Sequence, residues 1–176
     1  MTRSDEIDAF LERAGWSGAI RAPEPGDAST RRYERLTRGD EKAVLMDAPR
    51  GAETPSEPEG ASVEERRELG YNALARLAGP DCESFLAIAN ELSIRGFSAP
   101  KILAADAASG LILLEDLGQA LFARAIEADI SKERQLYEAA IDALAAIYRS
   151  SFPETFSFRN ETIFFVLFNR MYFYFS

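Results

Sequence analysis

The sequence predicts an α+β fold, a five-stranded antiparallel sheet with flanking helices that continues into a purely helical segment. Two observations carry this expectation. Short runs rich in branched and aromatic residues, parted by polar turns, occur as a group of three and then a group of two. Stretches with apolar residues at helical spacing precede, separate and follow those groups.

Taken in order, Ile7, Phe10, Leu11 and Ala14 share one helical face, and Gly15 is placed to end that helix. Residues 19–22, 32–36 and 43–47 are the first three strands, an antiparallel meander. Residues 50–62 combine Pro, Gly, Ser and Glu with almost no large apolar side chain, which predicts a mobile surface insertion. A helix over 63–78 carries Leu69, Ala73, Leu74 and Leu77 and stops at Gly79-Pro80. In the next, over 83–95, Phe85, Ile88, Ala89 and Leu92 make an apolar stripe, Gly96 caps the end and Pro100 lies beyond. Residues 101–105 and 111–115 are the fourth and fifth strands, joined by the turn D-A-A-S-G that ends on Gly110. The chain leaves the sheet at Glu115, Asp116, Leu117 and Gly118. Helices follow over 120–128 and 132–148, the second beginning after Ser131 and presenting Tyr137, Ala140, Ile141, Leu144 and Tyr148 on one side. The expected organisation is a sheet domain over 1–118, a helical segment over 119–151 and a distinct tail over 152–176.

The tail differs in kind. It holds ten Phe or Tyr, against nine aromatic residues in everything before it, and neither helical nor strand periodicity persists in it. An aromatic core strand and a coding sequence terminated early or altered in frame after about Ser151 both account for the change.

Composition excludes several classes. A chain of 176 residues with 47% hydrophobic and 28% charged residues can bury a real core. Its net charge of −9 opposes nucleic-acid binding through phosphates, which needs an excess of Lys and Arg. Without histidine there is no Ser-His-Asp or Cys-His catalysis and no imidazole-bound zinc. One cysteine, Cys82, gives neither an internal disulfide nor a Cys-rich metal site, which suits a reducing compartment. The N-terminus is acidic and amphipathic, unlike a signal peptide, and the apolar run from Ile163 is interrupted by Asn169 and Arg170, short of the ~20 residues of a membrane span. These features predict a soluble cytoplasmic protein without nucleic-acid or membrane partners.

Residues 25–49, P-G-D-A-S-T-R-R-Y-E-R-L-T-R-G-D-E-K-A-V-L-M-D-A-P, carry the most function-specific pattern. Gly26, Asp27, Ala28 and Ser29 make a tight polar turn between strands, where backbone N–H groups can approach an anion. Ser29 and Thr30 add hydroxyl donors, and Arg31 and Arg32 add forked, permanently charged guanidinium groups. That is the equipment of a lid over nucleotide phosphates. Alone, so short a motif favours an ordinary surface hairpin with exposed arginines.

Four blocks occur together and in order between about Phe10 and Tyr148: G-D-A-S-T-R-R-Y-E-R-L, A-V-L-M-D-A-P, F-L-A-I-A-N-E-L-S-I-R-G-F-S-A-P-K-I-L-A-A-D and G-L-I-L-L-E-D-L-G. Through them the chain resembles the aminoglycoside phosphotransferase and choline kinase superfamily. Within it, the chain looks most like bacterial kinases that phosphorylate the anomeric position of N-acetylmuramate and N-acetylglucosamine. The resemblance implies a protein-kinase-like small lobe followed by the first helices of a large lobe. It implies ATP and Mg²⁺ as cofactors and transfer of the γ-phosphoryl group to an amino-sugar hydroxyl in cell-wall recycling. Gly26, Asp27, Ala28, Ser29 and Thr30, with Arg31 and Arg32 behind them, would close over the phosphates. The backbone of Glu115, Asp116 and Leu117 would be the hinge that meets the adenine edge, with Val44 and Leu113 as apolar walls.

Two departures limit the carry-over. Kinases typically place a lysine on the third strand, paired with a helix glutamate, whereas here A-V-L-M puts Met46 at that position. Glu91 is then expected to be a solvated helix carboxylate, and Arg31 or Arg32 to supply the charge. The sugar-kinase branch also reads M-D-x-P here, so the missing lysine does not prove inactivity. The second departure is larger, because no H-x-D catalytic loop is possible without histidine and no D-x-D or D-F-G follows. Base, Mg²⁺ ligands and sugar site would belong to the large lobe, so no catalytic or metal residue is assigned, and weak ATP binding without turnover is expected. A non-catalytic interaction module of the same fold is the alternative, as is a kinase for another hydroxyl substrate such as choline, homoserine or an aminoglycoside.

Overall fold

The structure, a computed structural model, describes residues 2–25, 31–49, 51, 54–58, 60–74, 82–119 and 122–150. The chain divides into two compact units, Met1–Leu117 and Gly118–Ser176.

The first unit opens with helix α1 (Arg3–Arg13), started by a capping box in which the Thr2 side chain accepts from the Asp5 N–H and Asp5 accepts from the Thr2 N–H. Those bonds hold the Asp5 carboxyl below its ordinary pKa. Three strands follow, β1 (Ile20–Pro23), β2 (Arg32–Arg38) and β3 (Glu41–Asp47), then helices α2 (Val63–Leu69), α3 (Tyr71–Leu74) and α4 (Cys82–Ile94), and strands β4 (Ile102–Asp106) and β5 (Leu111–Glu115). The five strands form one antiparallel sheet in the order β1-β2-β3-β5-β4. The α+β expectation is therefore met, and β5 pairs with β3 although three helices and β4 intervene in sequence.

Register decides what each face of the sheet does, because directly paired residues point the same way. Leu36 pairs with Ala43, Leu45 with Leu113, and Asp47 with Leu111. These apolar residues join Ile7, Phe10, Leu11 and Trp16 in one buried cluster, so α1 covers this face. Each large side chain so buried contributes roughly 1.5–3 kcal/mol. Two ion pairs tie α1 to the same face: Arg3 reaches the buried Asp47 at 2.5 Å, and Arg21 bridges Asp8 and Glu34 at 2.7 and 2.6 Å. The Asp47 carboxylate, with its neighbour Glu6, keeps the Arg3 guanidinium more basic than usual against the opposing effect of burial.

Several local expectations are corrected. The helix expected over 63–78 is broken at Gly70, whose φ of +105° leaves the helical region. A Cβ there would lie 2.8 Å from Thr54 Cγ2. Thr54 is held by Asn72, whose backbone N–H donates to the hydroxyl at 3.0 Å and whose amide donates to the carbonyl at 2.6 Å. Thr54 and Glu57 lie in the segment expected to be mobile, yet Glu57 pairs with the buried Arg66 at 3.3 Å. The described part of that segment is thus anchored to α2 and α3. On α4 the expected stripe of Phe85, Ile88, Ala89 and Leu92 is buried, together with Cys82. A register shift between Ile102 and Ala104 marks an irregularity in β4 and leaves Leu103 exposed.

The second unit holds α5 (Phe122–Ala128), a 3₁₀ turn (Ile130–Lys132) capped by Asp129, and α6 (Glu133–Arg149). The stripe expected on α6 is displaced. Leu136, Ala140, Leu144 and Ile147 are the inward residues, while Tyr137, Ile141 and Tyr148 are exposed. The two candidate stripes share Ala140 and Leu144, and the side with two phenolic hydroxyls is the one left to solvent. Among the described residues no helix is long and apolar enough to cross a membrane.

Candidate functional site

The sheet face opposite α1 carries the only central-strand position of β3 that stays accessible between buried neighbours. Ala43, Leu45, Met46 and Asp47 are buried, and Val44 is half-buried. Val44 pairs with Arg35 on β2 and with Leu114 on β5, and Ile102 pairs with Leu114, so these four side chains form one row across the face. The next row holds Tyr33, Met46, Ile112 and Ala105. Beyond Leu114 come Glu115, Asp116 and Leu117, where the chain leaves the sheet.

A network of charges rims the face. Arg35 donates through Nε to Glu24 at 2.8 Å and through a terminal nitrogen to Asp116. Burial works against the Arg35 charge, but its hydrogen bonds to Asp116 and Glu24 outweigh it, and the guanidinium is more basic than usual. Glu24 follows β1, and its backbone N–H donates to the Tyr33 carbonyl at 2.9 Å, which continues the β1–β2 pairing one residue beyond Pro23.

The structure brings together only part of the set expected from sequence. Gly26, Asp27, Ala28, Ser29 and Thr30 lie outside the described residues. Arg31 and Arg32 differ in setting: Arg31 is buried just before β2, whereas Arg32 is exposed and paired in register with Asp47, on the α1 face. Val44 is half-buried on the face away from α1, and Leu113, expected to share a wall with it, does not. Leu113 is fully buried in the α1 cluster on the opposite face, and the neighbour that shares Val44's face on β5 is Leu114. Glu115 is also already engaged, because its N–H donates to the Lys101 carbonyl at 2.9 Å and its carboxylate accepts from the Lys101 N–H at 3.1 Å. No hydrogen bond joins the main chain of Leu117 to another described residue, which leaves its N–H and C=O as groups that can meet a planar ligand edge.

Met46 is fully buried, as an apolar residue at that position should be. Glu91, expected to be solvated, is instead largely buried and paired at 2.6 Å with Arg95 one turn along its own helix. Sequence reading missed Arg35 and Glu24. The period-two alternation that puts Arg35 on the side of Tyr33 was the available signal, but three other arginines lie within seven positions of it.

Chemically, the face suits a flat apolar ring between Val44 and Leu114 with its polar edge toward Leu117. It does not suit a divalent cation, since among the described residues no group of three His, Cys, Asp or Glu could hold a metal ion. A separate hollow of about 420 Å³, lined among the described residues by Pro58, Gly60, Ala61, Glu65, Glu68 and Leu69, has two carboxylates and, among those residues, no basic side chain to attract phosphate.

No protein-family model matches the chain. It is 48% identical over 166 residues to an N-acetylmuramate/N-acetylglucosamine kinase of Caulobacter vibrioides, a match that covers 92% of this chain and 46% of that protein. A protein of the same name from Pseudomonas aeruginosa is 33% identical over 127 residues, covering 72% of this chain and 29% of its own length. The chain therefore spans less than half the length of either relative. The first match leaves fewer residues unmatched than lie between Phe152 and Ser176, so it runs into the aromatic tail.

Proposed function

We propose that this chain is the N-terminal, ATP-binding part of a phosphotransferase that moves the γ-phosphoryl group of ATP to the anomeric hydroxyl of N-acetylmuramate or N-acetylglucosamine. The observation that carries the proposal is the 48% identity, over 92% of this chain, to a kinase named for those sugars. The sheet face is compatible with it. Val44 and Leu114 wall the adenine ring, and the main chain of Leu117 meets its polar edge, in place of the Leu113 and Glu115 positions expected from sequence. Gly26 to Thr30, with Arg31, keep the role of phosphate contacts that their residue types suggest, whereas Arg32, on the α1 face, does not. Among the described residues no group fits Mg²⁺. Neither a general base nor a sugar site is assigned to this chain, and it is proposed to be inactive alone.

Calorimetric titration of the 176-residue chain with MgATP should give binding in the millimolar range, about −4 kcal/mol. The substitution Val44→Trp fills the space beside Leu114 and should abolish that binding while leaving the far-ultraviolet circular dichroism unchanged. Unaltered affinity in Val44→Trp would place the nucleotide elsewhere. Sugar phosphate produced by the pure chain would refute the assignment of catalysis to residues outside it.

A further inference from the structure

We propose that Arg35 is a positioning residue for the nucleotide site: its ion pair with Asp116 crosses the open sheet face and fixes the main chain that follows β5. Arg35 stands on β2 and Asp116 follows β5, with β3 between them. Two inter-strand spacings separate their backbones by about 10 Å. The pair can close only if the arginine side chain lies flat across β3, where Val44 and Lys42 are the residues on that face at this level. The Arg35 side chain is 18% exposed, that of Glu24 17% and that of Asp116 4%, so the pair is sheltered along its length.

The charge balance says what the cluster is not. The Arg35 guanidinium faces two carboxylates, Glu24 and Asp116, so its charge is already engaged. It cannot replace the lysine missing at Met46 as a phosphate partner. What remains is mechanical. A forked guanidinium joins the segment after β1 at Glu24 to the segment after β5 at Asp116, which leave the sheet at opposite ends. Leu117, whose main chain is proposed to meet adenine, is the next residue. The functional consequence rests on the nucleotide reading above; the tie itself rests on the geometry alone.

Hydrogen–deuterium exchange on the full 176-residue chain separates the two. In Arg35→Gln, the amide of Glu115 at the end of β5, which donates to the Lys101 carbonyl, should exchange about tenfold faster, while those of the β2–β3 pairing keep wild-type rates. Asp116→Asn should reproduce the change at Glu115, and there the double variant should add nothing to either single one, since both remove the Arg35–Asp116 bond while only Arg35→Gln also removes the bond to Glu24. Asp116→Asn also supplies the test should Arg35→Gln fail to fold. Faster exchange throughout the sheet, or an unchanged rate at Glu115, overturns the tie. The same variants should weaken MgATP binding about tenfold. Unchanged MgATP affinity alongside the local loosening overturns the positioning role, and absence of MgATP binding by the wild-type chain overturns the nucleotide reading while exchange still decides the tie.

Discussion

Gly110→Ala tests whether the β4–β5 turn is locked against the chain leaving β3. Gly110 has φ +72°, a conformation that costs an L-residue about 1 kcal/mol. A Cβ there would lie 2.0 Å from the Ala48 carbonyl oxygen and 2.9 Å from its carbon. No rotamer relieves this, because Cβ is fixed by the backbone, so the turn and Ala48 must separate by more than an ångström. That movement breaks the hydrogen bond from the Ala48 N–H to the Gly110 carbonyl, 2.8 Å long and worth about 1 kcal/mol. With residual strain in the packed surroundings, the expected loss is about 2–4 kcal/mol. Gly39→Ala is the control, since Gly39 has φ +60° with nothing within 4 Å of a built Cβ, and it should cost only about 1 kcal/mol. Urea unfolding followed by the fluorescence of Trp16, which lies in the α1 cluster, reports the unit that holds both glycines. Equal losses in the two variants, with equal m-values, would refute the collision with Ala48 as the cause.

Leu45→Ala and Val44→Ala, adjacent substitutions on β3, should differ sharply in the same urea assay. Leu45 is fully buried against α1 and should lose about 2–5 kcal/mol, whereas the half-buried Val44 should lose about 1 kcal/mol; equal losses would contradict the assignment of faces. A pH effect is expected at Asp106. Its carboxylate accepts from the Ser109 N–H at 3.1 Å and lies 3.0 Å from Arg13, and these contacts hold its pKa below the ordinary value against the opposing effect of burial. Because the folded pKa is the lower one, this stabilisation is complete above the unfolded value of about 3.9 and is lost as pH falls through the folded value. Urea midpoints measured from pH 5 to pH 2.5 should therefore fall less steeply for Asp106→Asn than for wild type, and parallel curves would rule the contribution out.

The strands, and the turns between them, were legible because each strand is a short branched or aromatic run closed by Gly, Pro or Asp. Gly15, Gly96 and Gly110 all take the positive φ that their places in the sequence suggest. The break at Gly70 was not legible, since E-L-G-Y-N reads as a helix with one poor residue. What breaks it is Thr54, sixteen positions earlier, packed against the Gly70 backbone. Of the candidate site, Val44 and the hinge were visible as motifs, but not which neighbours they work with.

The sequence by itself determined the sheet, its helices and the chemistry that is excluded, because these depend on residue type and on spacing over a few positions. No histidine means no imidazole, whatever the fold. Tertiary structure decided everything that turns on parity and distance. Leu111 to Leu114 are all apolar and all buried, so nothing local says that Leu114, and not Leu113, shares the side of Val44; strand register does. Likewise what singles out Arg35 from Arg31, Arg32 and Arg38 is what meets it, a carboxylate 11 residues before it and another 81 residues after it. The polar turn at Gly26 that first suggests phosphate is followed, on β2, by an arginine committed to two carboxylates.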